Sequence, residues 1–250
     1  MKFALIILTL LSVTFPCLAK TRITVGAYEF TPYFYLLPSG HQTGITVETV
    51  RLLNSLQKEY TFEIMQMPAN RRYQFFERKR ADLILFEDPA WEWAKYKYEF
   101  LPLEVEDGEV YVTRAGTSSP KSFEELRKMK IAIVRGYHYS FAGFDADERF
   151  LKKNFTVELA ENPEACLNLV TRGISDVTVV AKSFIYDFLR RNPSYRDKIT
   201  VSNNYDSVYR LGLILNPKGR ISRAKLEPII AKLKKQPEFQ KLIAERFQLK

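Results

Sequence analysis

The chain has 250 residues, 46% of them hydrophobic, and a formal net charge of +9. This length suits one large domain or two lobes of ordinary size, and beyond the N-terminus no segment is long or apolar enough to span a bilayer. The basic excess alone does not point to nucleic acid: the densest clusters, Arg71-Arg72 with Arg78-Lys79-Arg80 and Lys232 with Lys234-Lys235, are scattered among acids and read as solvated helix faces.

The first nineteen residues read as an export signal. Lys2 supplies a positive start, residues 3–15 are an almost unbroken apolar run, and Cys17-Leu18-Ala19 places small residues at −3 and −1 of a cleavage site after Ala19. A transmembrane anchor needs about twenty apolar residues, and the run stops at Pro16. A lipid anchor on Cys17 is the other alternative, but Thr14-Phe15-Pro16 lacks the small residues such a site prefers. Loss of Cys17 with the signal leaves Cys166 without an intrachain partner. Its place in an apolar helical pattern predicts a buried small hydrophobe.

Residues 22–28 alternate as a β-branched strand that breaks at Thr31-Pro32. A helix follows at 46–56, with Val47, Val50, Leu53 and Leu56 on one face. Residues 61–67 form a second strand closed by Pro68, Asn70 is placed to cap a helix through Arg78, and 81–86 is an apolar third strand. The alternation restarts with a capping box at Ser122-Phe-Glu-Glu125, a strand at 130–134 and a turn at Arg135-Gly136. Next come a helix at 145–153, a strand at 156–160, and a helix opened by Asn162-Pro163 and ended by Gly173. A strand at 176–180, a helix at 183–191, a short strand at 199–201, a longer one at 209–215 and two helices, 222–235 and 237–246, complete the order. Repeated strand and helix alternation predicts mostly parallel sheets flanked by helices. Two such units without a flexible linker predict two lobes across a cleft, crossed at 110–116 and 202–209. Lobe 1 would hold residues 20–112 plus 205–250, and lobe 2 residues 113–204, with the two crossings as a hinge.

This order and its local wording resemble the periplasmic solute-binding proteins of the polar amino-acid ABC transporter type (extracellular solute-binding protein family 3). The resemblance covers essentially the whole mature chain. It rests on Ile23-Thr-Val-Gly26 running into Phe30-Thr-Pro-Tyr33, Gly44-Ile-Thr-Val-Glu48, Met67-Pro68, Arg80-Ala-Asp82, Lys130-Ile-Ala-Ile-Val-Arg-Gly136 and Gly173-Ile-Ser-Asp176. It implies a two-lobed α/β fold of the type II periplasmic-binding-protein kind. It further implies a monomer, a small polar solute as ligand, a membrane permease complex as partner, and no cofactor. Two departures stand out. Where the family holds a ligand carboxylate with an arginine after the third strand, this chain reads Phe86-Glu-Asp-Pro-Ala-Trp-Glu-Trp-Ala-Lys95, and where the family binds an ammonium group it has Ala181-Lys182. The ligand expected is therefore a modified amino acid, short peptide, sugar-like molecule or aromatic acid rather than a plain α-amino acid.

Strand ends in open α/β sheets face the crevice where ligands bind. After the first strand, Tyr28, Phe30 and Tyr33 offer rings to stack on a ligand, with packing of the lobe as the alternative. Arg72 offers a guanidinium fork for an anionic group, and Phe30 and Arg72 are expected to affect binding with little effect on stability. Glu87 and Asp88, near Trp91 and Trp93, would bind a cation or form an acid pair with shifted pKa values, unless they belong to a polar loop. Tyr137 and His138, in the turn after the strand at 130–134, are candidates from the opposite wall, with His138 as a bystander the alternative. No nucleophile elbow, paired-cysteine metal site or nucleotide loop occurs, and with only His41 and His138 a multi-histidine metal centre is not expected. The rival readings are a sensory or partner-binding module using the same closure, and an acid–base enzyme using Glu87, Asp88 and His138.

Overall fold

The computed structural model describes residues 20–245. The expected export signal and Arg246, the expected end of the last helix, lie outside the described residues. In strand β1 (Thr21–Ala27) the alternate residues Ile23, Val25 and Ala27 are buried. It pairs in parallel with β4 (Tyr60–Gln66) on one side and with β5 (Leu83–Glu87) on the other. A two-stranded ribbon, β2 (Tyr35–Leu36) with β3 (Gln42–Thr43), precedes α1 (Ile45–Ser55). The buried face of α1 is Ile45, Thr46, Thr49, Val50, Leu52 and Leu53; Val47 and Leu56 of the expected stripe are only half-buried.

Asn70 does not cap the next helix. A single 3₁₀ turn, Ala69–Arg71, follows Pro68 and leads into the short α2 (Arg72–Glu77) without a side-chain cap. The Asn70 backbone is instead packed under Gly136, where a Cβ would lie 2.9 Å from the Asn70 nitrogen. With φ +78 as well, position 136 requires glycine on two counts.

Two long strands dominate the middle of the sheet: β6 (Glu99–Arg114) and β10 (Ile199–Leu215), antiparallel along their length. The sequence predicts β10 as two pieces, because Ser202-Asn203-Asn204 carries no apolar alternation. The β6 ladder joins them, since backbone pairing does not depend on the side chains, and register shifts around Tyr205 absorb the irregular stretch.

The second half repeats the first. β7 (Lys130–Val134) and β8 (Thr156–Ala160) have the predicted bounds, and β7 also pairs with β9 (Val177–Ala181). Ser122 Oγ accepts from Glu125 N at the start of α3 (Phe123–Leu126), but Glu125 reaches back to Lys121 N, so the capping box is only half formed. α4 (Glu148–Asn154) starts later than predicted because Asp147, not Asp145, caps it. Asn162 Oδ1 accepts from Ala165 N to open α5 (Pro163–Thr171), and Cys166 is buried there with its thiol pushed up to about 12 by burial. α6 (Lys182–Arg191), α7 (Arg223–Lys234) and α8 (Pro237–Glu245) complete the cover.

The strand order is β4-β1-β5-β10-β6-β9-β7-β8. Each half thus has three parallel strands with its first strand in the centre, and its third strand pairs antiparallel with one crossing strand, β5 with β10 and β9 with β6. Among the described residues no helix is long and apolar enough to cross a membrane.

Candidate functional site

The site begins where β5 stops. Phe86 takes a left-handed backbone (φ 60), rare for a bulky residue and a mark of a constrained site, and it directs the chain so that Glu87 ends in the interior. Glu87 and Arg72, the first residue of α2, are both fully buried, with Arg72 Nε 3.3 Å from Glu87 Oε2. Trp93 Nε1 donates to the same oxygen at 2.6 Å. Burial pushes the Glu87 carboxyl up, while Arg72, Tyr28 and Trp93 oppose that shift by charge and hydrogen bonding. Burial is the largest influence on Arg72 and opposes its charge, but Glu87, Tyr28, Tyr73 and Glu92 together outweigh it and the net shift is upward. A guanidinium does not deprotonate in a protein, so this buried cation needs a counter-ion, and Glu87 is the carboxylate placed to serve.

The same guanidinium bridges to the second half. Arg72 Nη1 donates to Ala69 O at 2.8 Å and to Gly136 O at 3.2 Å, and Nη2 lies 3.1 Å from His138 Nδ1. Because arginine can only donate, His138 Nδ1 must accept, which leaves Nε2–H to face Glu92 Oε2 and the Tyr73 hydroxyl, each at 3.0 Å. Tyr73 in turn donates to Trp91 O at 2.5 Å. Burial, with help from Arg72, holds the His138 pKa down at about 4, so the ring is neutral at neutral pH. The bond from His138 holds Glu92 down at about 2. A further contact across the halves is Tyr137 Oη donating to Glu29 O at 2.6 Å.

Above this network the rings meet. Phe30 stacks on Tyr33 at 4.7 Å and meets the edges of Trp91 and Tyr137, each at 5.7 Å. Tyr28, Phe30, Arg72 and Trp91 from the first half, and Gly136, Tyr137 and His138 from the second, line one cavity together with Glu109 of β6. The halves are closed on each other, and the space left is about 10 Å³, room for one water at most.

The predicted residues thus divide. Tyr28, Phe30, Arg72, Tyr137 and His138 are brought to one cavity, with Glu87 directly behind Arg72. Tyr33 lies deeper, its hydroxyl donating to Asp107 Oδ2 at 2.8 Å. Asp88 is outside the lining; its carboxylate accepts from Ala90 N at 2.8 Å and Arg210 N at 2.9 Å and holds the loop to β10. Arg72 at 1% exposure and Phe30 at 5% overturn the expectation that both can be removed with little loss of stability. Sequence reasoning misses Glu92, Glu109 and Tyr209. Tyr209 sits on β10 with its ring edge-on to Trp91 at 5.0 Å. The signal that could have found Glu109 is an acid inside the run 105–113, where Val105, Val110 and Val112 mark a buried strand. Among the described residues no group of three or more His, Cys, Asp or Glu is placed to hold a metal ion.

No protein-family model matches the chain. A probable amino-acid ABC transporter-binding protein of Haemophilus influenzae is 29% identical over 182 residues, 72% of this chain and 67% of that protein. Among solved structures, an ancestral arginine-binding protein bound to arginine superposes with a TM-score of 0.68 at 17% identity, covering 92% of this chain and 99% of that one. A histidine kinase sensor domain with similarity to periplasmic binding proteins gives 0.70 at 19% identity, covering 91% and 96%. An arginine-binding protein and a kinase sensor domain match the architecture about equally well, and at these identities it is the architecture that is shared. The chain has the two-lobed periplasmic-binding-protein fold, with helix-flanked sheets joined by two long strands.

Proposed function

We propose that this chain is an exported solute-binding protein that captures a small polar, amino-acid-like molecule between two lobes and presents it to an ABC-type membrane permease. The observation that carries this reading is the cavity at which Phe30 and Trp91 of one half meet Tyr137 and His138 of the other. A pocket shared between lobes forms only on closure, so a ligand that bonds to both halves favours the closed form by its differential affinity. Closure removes water, and the few hydrogen bonds and ring contacts then act in a lower dielectric. The transporter-binding relative supports the uptake role.

In this reading lobe 1 is residues 20–112 plus 205–250, lobe 2 is 113–204, and the hinge lies in β6 and β10. The signal is cleaved after Ala19 and the mature protein works in the periplasm as a monomer without catalysis. Its ligand-facing residues are Tyr28, Phe30, Tyr137 and His138, with Arg72 and Glu87 holding the lips in place and Tyr33 and Asp88 supporting the loops. The test is a thermal-shift screen of the mature protein, unfolded and refolded to strip carried-over ligand, against amino acids, peptides, sugars and organic acids. A ligand at a hundred times its dissociation constant adds about 2.7 kcal/mol, which for this size raises the midpoint by several degrees. Silence across the whole panel would overturn the capture reading.

A further inference from the structure

Glu109 on β6 is among the residues lining the cavity, 3% exposed, with its Oε2 buried and unbonded and with no ion pair among the described residues. Two other acids near it are provided for. Asp107 accepts from Tyr33 Oη, Ser183 Oγ and two backbone amides, and Asp206 accepts from Tyr111 Oη and the amides of Ser140 and Phe141. Glu109 alone has no donor, and the Tyr209 hydroxyl on the neighbouring strand is likewise buried and unbonded. A buried carboxyl without partners is costly to retain.

The charges around it settle what kind of partner fits. Among the described residues lining the cavity Arg72 is the one cation, and it is matched by Glu87 on one side and committed to Gly136 O and His138 on the other. His138 is neutral, and its Nε2–H faces Glu92. No positive charge is left over for an anionic solute, whereas one carboxyl is left over for a cationic one. The remaining walls are the faces and edges of Tyr28, Phe30, Trp91 and Tyr137, and aromatic rings attract a cation through their quadrupoles.

We infer that Glu109 is the counter-ion for an organic ammonium or guanidinium group, which the aromatic walls enclose when the two halves close on it. This rests on the capture reading and names its ligand class. Burial, with Asp206 and Asp107 nearby, raises the Glu109 pKa well above the usual carboxylate range. A cation placed beside the carboxyl favours its ionised form, and any proton it carries leaves to water. The solute enters by parting of Phe30 and Tyr137, whose rings meet across the halves in the lining of the same cavity.

The experiment is titration calorimetry of the mature protein with arginine and choline as cations, glutamine as a neutral solute, and glutamate and succinate as anions. It is repeated on Glu109→Gln, whose fold is checked by circular dichroism and thermal midpoint. The expected result is binding of at least one cation, an affinity for it reduced tenfold or more in Glu109→Gln with the midpoint unchanged or raised, and no binding of succinate. Anions bound as tightly as cations, or a cation affinity unaltered by Glu109→Gln, would overturn the inference and leave solute capture standing. Binding of no cation here, with a neutral or anionic solute found by the thermal-shift screen, would overturn the inference alone, and silence in both experiments would overturn both.

Discussion

The two halves are built alike down to the anchoring of their third strands. Asp82, just before β5, accepts from Thr24 N of β1 at 2.7 Å, and Asp176, just before β9, accepts from Lys130 N of β7 at 2.7 Å. Both lock the third strand of a half to its central strand. The halves part company at their cleft-facing loops. In the first, a buried pair, two tryptophans and a left-handed Phe86 make a fixed wall; in the second, Gly136-Tyr137-His138 is a short turn whose polar groups bond mainly to the other half. A shared scaffold fixes where the loops are, and their side chains alone decide which wall is rigid and which one docks.

Breaking the fixed wall should have the largest effect. Arg72→Ala strands Glu87 in the interior, and loss of one member of a buried pair costs about 3–5 kcal/mol; urea unfolding should report it. A cost under about 1 kcal/mol would mean that the wall relaxes and water reaches Glu87.

The docking side should respond to pH. His138 has a folded-state pKa near 4 against about 6.5 when unfolded. The unfolded chain therefore takes up the proton first. The stability from neutral His138 is complete above pH 6.5 and is lost as pH falls through 4, by about 3 kcal/mol. His138→Gln should flatten that part of the stability profile, and an unchanged slope would place its origin elsewhere.

The two anchoring aspartates sharpen the comparison further. Asp82 also accepts from Arg220 and is buried, whereas the Asp176 bond is exposed. Asp82→Ala should cost about 1.5–3 kcal/mol, as for hydrogen bonds to charged groups, and Asp176→Ala about 0.5–1.5 kcal/mol. Equal costs would show that the halves are anchored with equal strength. An effect as small as that of Asp176→Ala is expected from Tyr137→Phe, which removes one bond to Glu29 O and should cost about 0.5–1.5 kcal/mol while speeding opening of the cleft.

Much of the fold could be read before folding was considered. β7 and β8 have their predicted bounds, and the caps at Ser122 and Asn162 are where the residue types place them. The Asn70 cap fails because a 3₁₀ turn from Pro68 precedes the helix, and the Asn70 backbone in that turn lies close against Gly136, which is distant in sequence. The site was partly legible, since Tyr28, Phe30, Arg72, Tyr137 and His138 all follow strand ends and share one cavity. Asp88 was misplaced because adjacent residues at a strand end point to opposite sides: Glu87 turns inward and Asp88 outward to the Arg210 amide.

The order of residues is enough for the local features: strand and helix alternation, apolar periodicity and the turns marked by Gly, Pro and Asn, each set by interactions within a few residues. The long-range partners come from folding. The continuity of β10 comes from β6, the counter-ion of Arg72 from β5, the tautomer of His138 from Arg72, and the place of Glu109 in the cavity lining from the path of β6 between the halves. Charge and hydrogen bonding act over a few ångströms in space, and no spacing along the chain encodes which distant residues will be that near.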